Sequence, residues 1–176
     1  MIAIDSSVYI SELTKGDDSA MVKWLNDEVI YQNTLRIPFP YKIEHARDFL
    51  HYVRLMRKEH AQPTEWAIRN YTGEMIGCVG FSRIYGKYSH KDELGYWLAA
   101  PYRGQGIMTR VVEVVSNWGF QRFGLWRLEA PIFPHNPASG KVLEKNGFVA
   151  EGTLHNYVMK ENKPMDVIMY AKTKRL

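Results

Sequence analysis

The stretch from Glu93 to Arg110 constrains the fold of this chain more than any other, because a short strand, a proline and a glycine-flanked turn follow one another in it. Residues 94–98 read Leu-Gly-Tyr-Trp-Leu, an alternation that suits a short and mostly buried strand, and Pro101 prevents that strand from continuing. Gly104 and Gly106 lie just before an apolar run with helical spacing. The pattern predicts a flexible loop that leads directly into a helix.

The start of that predicted helix has the chemistry of an anion site. The first amides of a helix have no partner within it and point outward at the positive end of the helix dipole, and glycines allow a phosphate to approach them closely. A dinucleotide-binding turn would need a third glycine where this chain has Thr109, and a nucleotide P-loop would need Gly-Lys-Ser/Thr, which does not occur. A phosphate site of another kind and a plain tight turn therefore both remain open.

Two blocks of sequence carry a resemblance to a known family. Residues 103–108, Arg-Gly-Gln-Gly-Ile-Met, resemble the pyrophosphate loop of the GNAT N-acetyltransferase superfamily, whose pattern is Gln/Arg-x-x-Gly-x-Gly/Ala. Met108 stands where that pattern has a small residue, so Thr109 and the backbone amides are expected to take over the contacts there. The second block is similar to the other half of the same cofactor site. It comprises Arg-Leu-Glu-Ala at 127–130, Asn-Pro-Ala-Ser at 136–139 and Leu-Glu-Lys-Asn-Gly-Phe at 143–148.

The resemblance covers roughly the whole chain and is closest to the RimJ/RimL type, which acetylates protein N-termini. It implies a single GNAT domain over residues 1–176, of the α/β class, with a mixed (α+β), mostly antiparallel central sheet and helices on both faces. In this fold the strands before and after the long helix splay apart and hold the pantetheine arm of acetyl-CoA, the implied co-substrate. Pro131 cannot donate a ladder hydrogen bond, and it falls where such a splay tolerates it. The residues expected to contact acetyl-CoA are Trp97, Leu98, Arg103, Gly104, Gln105, Gly106, Ile107, Met108, Thr109, Asn136 and Ser139.

Hydrophobic periodicity and turn residues predict the remaining elements. These are a strand at 8–13, helices at 17–25 and 44–58, strands at 65–69 and 75–81, a long helix ending between Gly119 and Gly124, a strand at 126–132, a helix at 137–147 and a terminal hairpin of 148–159 and 166–172. Residues 30–41 are predicted to be a loop, either packed on the core or functional. Residues 84–91 are predicted to be an exposed loop, either a solvated connection or a substrate contact.

Composition narrows the range of partners. The net charge of +4 and the pI of about 9.1 suit a polyphosphate co-substrate, but no run of Lys and Arg indicates nucleic acid. The single cysteine excludes an intramolecular disulfide and fits a reducing compartment, and the six histidines lack ligand spacing, so no metal is predicted. The sequence shows neither a secretory signal nor a membrane-spanning run, so a cytoplasmic location without a membrane partner is expected. None of these patterns predicts the oligomeric state.

Acetyl transfer from a thioester to an amine needs a base, a donor for the carbonyl oxygen and a proton for the departing thiolate. Glu93 resembles the carboxylate with which many relatives draw a proton from the amine through water, although a salt bridge or a helix cap would also explain it. In the resemblance Ser139 stands near the cofactor sulfur as an acid, or it is only a first-turn hydroxyl. Many members place a tyrosine in that helix where this chain has Leu143, so a tyrosine acid is not expected. Backbone amides around Trp97 and Leu98 are expected to hold the carbonyl.

The basicity of the amine guides the prediction of the acceptor. A protein α-amine has a pKa of about 7.7 to 8.0 and a lysine side chain of about 10.4, so a weak, water-relayed base such as Glu93 suffices for an N-terminus. A small-molecule amine (polyamine, amino acid or aminoglycoside-like) and a catalytically silent acyl-CoA-binding or interaction module are the alternatives. Some RimJ/RimL-type members carry a further carboxylate where this chain has Val158, which weakens the ribosomal-protein interpretation. The candidate acceptor-site residues are Tyr31, Phe39, Tyr41, Glu93 and Tyr157.

Overall fold

The computed structural model describes residues 1–82 and 89–174, and their helices and strands form one mixed sheet with helices on both faces. In chain order the elements are β1 (Ile2–Ala3), β2 (Val8–Glu12), α1 (Asp18–Leu25), α2 (Glu28–Asn33), α3 (Ile43–His60), β3 (Glu65–Asn70), β4 (Met75–Phe81), β5 (Lys91–Leu98), α4 (Ile107–Arg122), β6 (Arg127–Ile132), α5 (Pro137–Lys145), β7 (Val149–Lys160) and β8 (Lys163–Thr173). The sheet order is β1-β2-β3-β4-β5-β6-β8-β7. Among the described strands, β5 and β6 alone pair in parallel, and this mixed sheet confirms the predicted fold class.

Two apolar clusters lie on opposite faces of the sheet, because successive residues of a strand point to opposite sides. One cluster joins α4 and α5 to the sheet through residues such as Val79. The other joins α1, α2 and α3 to the sheet through Cys78, the neighbour of Val79 on β4. The helices that follow the glycine turn therefore lie on one face, and the helices of the N-terminal third lie on the other.

The predicted splay lies between β5 and β6. The two strands pair only where Lys91 to Glu93 face Arg127 to Glu129. Beyond that point β5 stays paired with β4 as far as Leu98, while β6 stays paired with β8 as far as Ile132. Pro131 therefore lies on β6 beyond the parallel pairing. There its lack of a backbone N–H loses no hydrogen bond to β5.

The structure differs from the sequence predictions mainly in residues 30–41, whose first part is helical. Asp27 caps α2 by accepting hydrogen bonds from the amides of Val29 (2.8 Å) and Ile30 (3.3 Å), so the helix begins before the predicted loop. Of the other predicted loop, residues 84–88 lie outside the described residues, and Lys91 already belongs to β5. Among the described helices, none is long and apolar enough to cross a membrane.

Candidate active site

The glycine turn before α4 has the geometry of an anion site. Gly104 and Gly106 adopt positive φ angles of 75° and 71°, which L side chains rarely adopt. Gly106 is the N-cap residue of α4, and no side chain of the described residues caps this helix end. The first turn also contains no acidic residue. The amides of the first helical residues therefore keep their positive end available to an anion.

Polar side chains brace this turn from outside. The guanidinium of Arg103 donates to Asp27 (2.6 Å) and to the backbone oxygen of Leu98 (2.9 Å). Gln105 donates to the backbone oxygen of Pro101 at 2.9 Å. These bonds tie the turn to the end of β5 and to the start of α2, so both predicted cofactor residues have an observed structural role. Their contact with acetyl-CoA remains a prediction.

A cavity of about 840 Å³ opens between β5 and β6 and extends from the glycine turn to the face covered by α1 and α2. This volume is within the range of about 300 to 1,000 Å³ that is typical of ligand sites. Most of the predicted site residues line it. They are Glu93, Trp97, Leu98, Arg103, Gly104, Gly106, Ile107, Met108, Thr109, Asn136, Ser139, Tyr41 and Tyr157. Gln105, Tyr31 and Phe39 are not among the described residues that line it.

The backbone of β5 presents only some of its amides to the opening. The amide of Ala99 donates to β4, and the carbonyl of Glu93 accepts from Ser82 just beyond β4, so odd-numbered residues turn their backbone groups toward β4. The even-numbered residues turn theirs toward the opening, as the bond from Arg103 to the carbonyl of Leu98 also indicates. Of the two amides predicted to hold the thioester carbonyl, that of Leu98 faces the opening and that of Trp97 faces β4.

Glu93 is the last residue of β5 that pairs with β6, so its carboxyl group lies where the strands separate. Ser82 donates to Oε1 at 3.4 Å. Burial raises the pKa of Glu93, and the negative charges of Asp92 and Glu129 raise it further, while Arg36 opposes them. A partly buried carboxylate with a raised pKa is a stronger base than an exposed one.

Ser139 meets a partner that the sequence analysis missed. Its amide donates to Oδ1 of Asn136 (3.2 Å), which caps α5, and its hydroxyl lies 2.7 Å from the hydroxyl of Tyr96 on β5. Burial raises the pKa of Tyr96, so its phenol keeps its proton at neutral pH. Leu143 is fully buried in the core, as expected for a residue that cannot act as an acid. The tyrosine that many relatives place in this helix is replaced by Leu143, but Tyr96 on the sheet brings a phenol close to Ser139.

Tyr31 and Phe39 pack away from the cavity, against the tip of the β7–β8 hairpin. Their rings lie 5.5 Å apart, and the hydroxyl of Tyr31 donates to Glu161. Lys160 donates to the backbone oxygens of Tyr31 and Thr34, the latter at 2.6 Å. The last turn of α2 is thus held against the hairpin beside the cavity. By contrast, Tyr41 is buried and lines the cavity, and half-exposed Tyr157 lies at its edge.

A second carboxyl group lines the cavity and was not identified from the sequence. Glu65 is the first residue of β3, and Sγ of Cys78 lies 3.7 Å from its Oε2. Burial raises the pKa of Glu65 to about 8. Burial raises the pKa of the Cys78 thiol, which makes it a poor nucleophile.

A family profile and several relatives agree with this architecture. The profile of the acetyltransferase (GNAT) domain matches residues 8–149, and the chain belongs to that family. The uncharacterized N-acetyltransferase YoaA of Bacillus subtilis (strain 168) is 34% identical over 110 residues, which is 62% of each chain. The ribosomal-protein-serine acetyltransferase of Escherichia coli (strain K12) is 32% identical over 99 residues, 56% of this chain and 55% of that protein. The chain thus spans less than two thirds of the length of either relative.

Solved structures share the fold over nearly the whole chain. The ribosomal-protein-S5-alanine acetyltransferase from Vibrio fischeri is 25% identical with a TM-score of 0.81, covering 96% of this chain and 97% of that one. A RimL ribosomal L7/L12 α-N-protein acetyltransferase in complex with coenzyme A has a TM-score of 0.85 at 21% identity, covering 98% and 97%. The family profile confirms the resemblance to the GNAT superfamily, and the ribosomal-protein acetyltransferases among the relatives confirm the resemblance to the RimJ/RimL type.

Proposed function

We propose that this chain is an N-acetyltransferase that transfers acetyl from acetyl-CoA to a primary amine by direct attack in a ternary complex, with a protein or peptide N-terminal α-amine as the acceptor. One observation carries the proposal: a single cavity joins the uncapped amides of α4, the opening between β5 and β6, and the carboxyl group of Glu93. The ribosomal-protein names of relatives support the choice of acceptor.

The residues present fit acetyl-CoA, which supplies a thioester and a polyphosphate when it is bound. The amides of Ile107, Met108 and Thr109 would bind the phosphates, as the uncapped helix end favours. The amide of Leu98 would hold the pantetheine arm or the thioester carbonyl, and Asn136 would orient the same arm from α5. Each of these residues lines the cavity.

The two proton transfers are assigned to side chains on opposite faces of β5. Glu93, with Gly95 and Trp97, lies on the face covered by α1 to α3, and there it would accept the proton of the attacking amine, directly or through water. Tyr96 lies on the opposite face beside Ser139, where the pair would return a proton to the departing sulfur. A base and an acid on opposite sides of one strand suit an attack from one side and a departure toward the other.

A small-molecule amine is the second candidate acceptor, because the hairpin is held against the end of α2 beside the cavity. Lys160 makes this contact by donating to the backbone oxygens of Tyr31 and Thr34. Elements that are held together beside a cavity limit the room for an extended peptide, whereas a small amine needs no open groove.

Thiol release from acetyl-CoA tests the proposal. Purified protein is supplied with peptides that have free or blocked N-termini and with small amines, and the acceptor that elicits thiol release identifies its class. We expect Glu93→Gln to lower kcat about 10²-fold or more without changing acetyl-CoA affinity in calorimetry. Glu59→Gln, the same change on the exposed side of α3, serves as the matched control.

Two results would contradict the proposal. An unaltered rate and pH profile in Glu93→Gln would remove Glu93 from the mechanism. Acetyl-CoA binding without thiol release from any acceptor would favour the silent acyl-CoA-binding module.

A further inference from the structure

Glu65 occupies a place that two glycines create. In the register of the sheet, Glu65 of β3 faces Gly80 of β4, and Gly80 faces Gly95 of β5. The Glu65 side chain lies over Gly80, because a Cβ added to Gly80 would collide with its carboxyl group. The carboxyl group thus reaches one strand inward from its own backbone, toward β5.

The neighbouring position is open. A Cβ added to Gly95 would meet nothing within 4 Å, and Gly95 is exposed to the cavity although it lies in the middle of the sheet. Adjacent strands are about 4.8 Å apart, so the carboxyl group of Glu65 stands about 5 Å from the empty space above Gly95. That space lies between Glu93 and Trp97 of the same strand.

The carboxyl group of Glu65 accepts fewer hydrogen bonds than its two oxygens allow. Oε2 accepts a bond from the thiol of Cys78 at 3.7 Å, a weak donor. For Oε1, no donor is found in the part of the chain that the structure describes, and the side chain lines the cavity. A carboxylate removed from water is stabilised by a cation or by strong donors. Arg36 is the cation whose charge acts on both Glu65 and Glu93, and it too lines the cavity.

The position of Glu65 on the sheet limits what its carboxyl group can contact. The thioester of acetyl-CoA would lie in the opening beside β5, where Glu93 is also located. Glu65 begins two strands away and reaches one strand inward, so it is too far to serve the reacting nitrogen. It can contact the far end of an acceptor whose reacting amine lies at β5.

We propose that Glu65 binds a second ammonium group of the acceptor, so that the preferred acceptor carries two amines about 5 to 8 Å apart. The inference rests on the acetyl transfer proposed above and specifies its substrate class. Four to five carbon atoms separate two amines by this distance, as in a short aliphatic diamine or in a peptide that begins with lysine. Both sources share the same chemistry at Glu65. Burial raises the pKa of Glu65 to about 8, so the group is mostly neutral in the free protein, and a bound ammonium group would favour its ionised form.

Matched acceptor pairs test the inference. One pair is 1,5-diaminopentane and pentylamine; the other is a tetrapeptide that begins with lysine and the same tetrapeptide with norleucine. We expect the wild type to prefer the dicationic member of at least one pair by about 10-fold or more in kcat/KM, mostly through KM, because a charge-assisted hydrogen bond is stronger than a neutral one. The pair that shows the preference distinguishes a metabolite from a peptide.

The variant Glu65→Gln then separates the effect of charge from the effect of shape, because it keeps the size of the side chain and one acceptor oxygen. We expect the ratio of kcat/KM between the dicationic and the monocationic acceptor to fall close to 1 in this variant. The control variant Glu59→Gln is expected to keep the wild-type ratio. A preference that survives in Glu65→Gln would overturn the inference, because it would show that a negative charge at position 65 does not select the second ammonium group. Thiol release without any preference in the wild type would overturn the inference alone. Absence of thiol release with every acceptor would overturn the proposed function and, with it, this inference.

Discussion

The carboxyl group of Glu65 is expected to make the protein less stable as pH rises. Burial raises the pKa of this group from 4.5 to about 8. Between these two values the folded protein keeps a proton that the unfolded chain has lost, so the folded state binds more protons. The free energy of unfolding then decreases by about 1.4 kcal/mol per pH unit from this group alone. The loss begins near the unfolded pKa and is complete above the folded one.

Integrated between pH 5 and pH 8, this loss amounts to about 3 to 4 kcal/mol. Such a change is a large part of a total stability of about 5 to 15 kcal/mol. Glu65→Gln removes the titration, but it keeps an oxygen that can accept the bond from Cys78. We therefore expect the variant to have nearly the same stability as the wild type at pH 5 and to be more stable by about 3 kcal/mol at pH 8.

Urea unfolding followed by tryptophan fluorescence at several pH values measures the difference. Other groups whose pKa is shifted in the folded protein, Glu93 among them, are present in both proteins, so their contributions cancel to first order. Parallel stability curves for the wild type and Glu65→Gln across this pH range would refute the reasoning, because they would show that Glu65 titrates alike in the folded and unfolded states. Glu59 is exposed, so the dependence of stability on pH in Glu59→Gln should follow that of the wild type.

Two further substitutions test the remaining geometry of the site. Gly95→Ala adds a methyl group where nothing lies within 4 Å, so we expect unchanged folding and acetyl-CoA affinity but a several-fold higher KM for the acceptor. Gly16→Ala, at a glycine outside the cavity, is the control. An unchanged acceptor KM in Gly95→Ala would contradict the placement of the acceptor above Gly95. Tyr96→Phe removes the hydroxyl that lies 2.7 Å from Ser139, so we expect kcat in the thiol-release assay to fall about 10²-fold with acetyl-CoA affinity preserved. Tyr71→Phe, an exposed tyrosine, is the matched control, and equal rates would exclude the phenol as an acid.

The parts of the site that the sequence predicted are those with local signals. Gly104 and Gly106 indicate the turn, because only glycine readily adopts their backbone angles. The helix that follows is indicated by the helical spacing of its apolar residues within one continuous segment. Pro131 likewise indicates where β6 lacks a neighbour on one side. The helix α2 was missed although a local signal existed: Asp27 is a good capping residue, but the prolines and the asparagine that follow suggested a loop.

The partners of Tyr96 and Glu65 could not be read from the sequence, because they depend on long-range pairing. Tyr96 meets Ser139 from 43 residues away, and its place in an apolar strand looks like that of an ordinary core residue. Glu65 meets Cys78 only because β3 and β4 pair in one register. A shift of that register by one residue would turn Glu65 to the other face of the sheet.

The strand glycines offered a weaker signal that the register explains. Glycine within a strand weakens the sheet and often marks a close approach of another group. Gly80 and Gly95 lie side by side in the middle of this sheet. The carboxyl group of Glu65 lies over Gly80, whereas nothing in the chain lies over Gly95 within 4 Å of an added Cβ. An empty space on a sheet otherwise covered by helices costs packing energy and gains nothing within the chain itself. A strand glycine of this kind often marks a site where another molecule approaches closely, and the open position between Glu65 and Glu93 is where the proposed acceptor would lie.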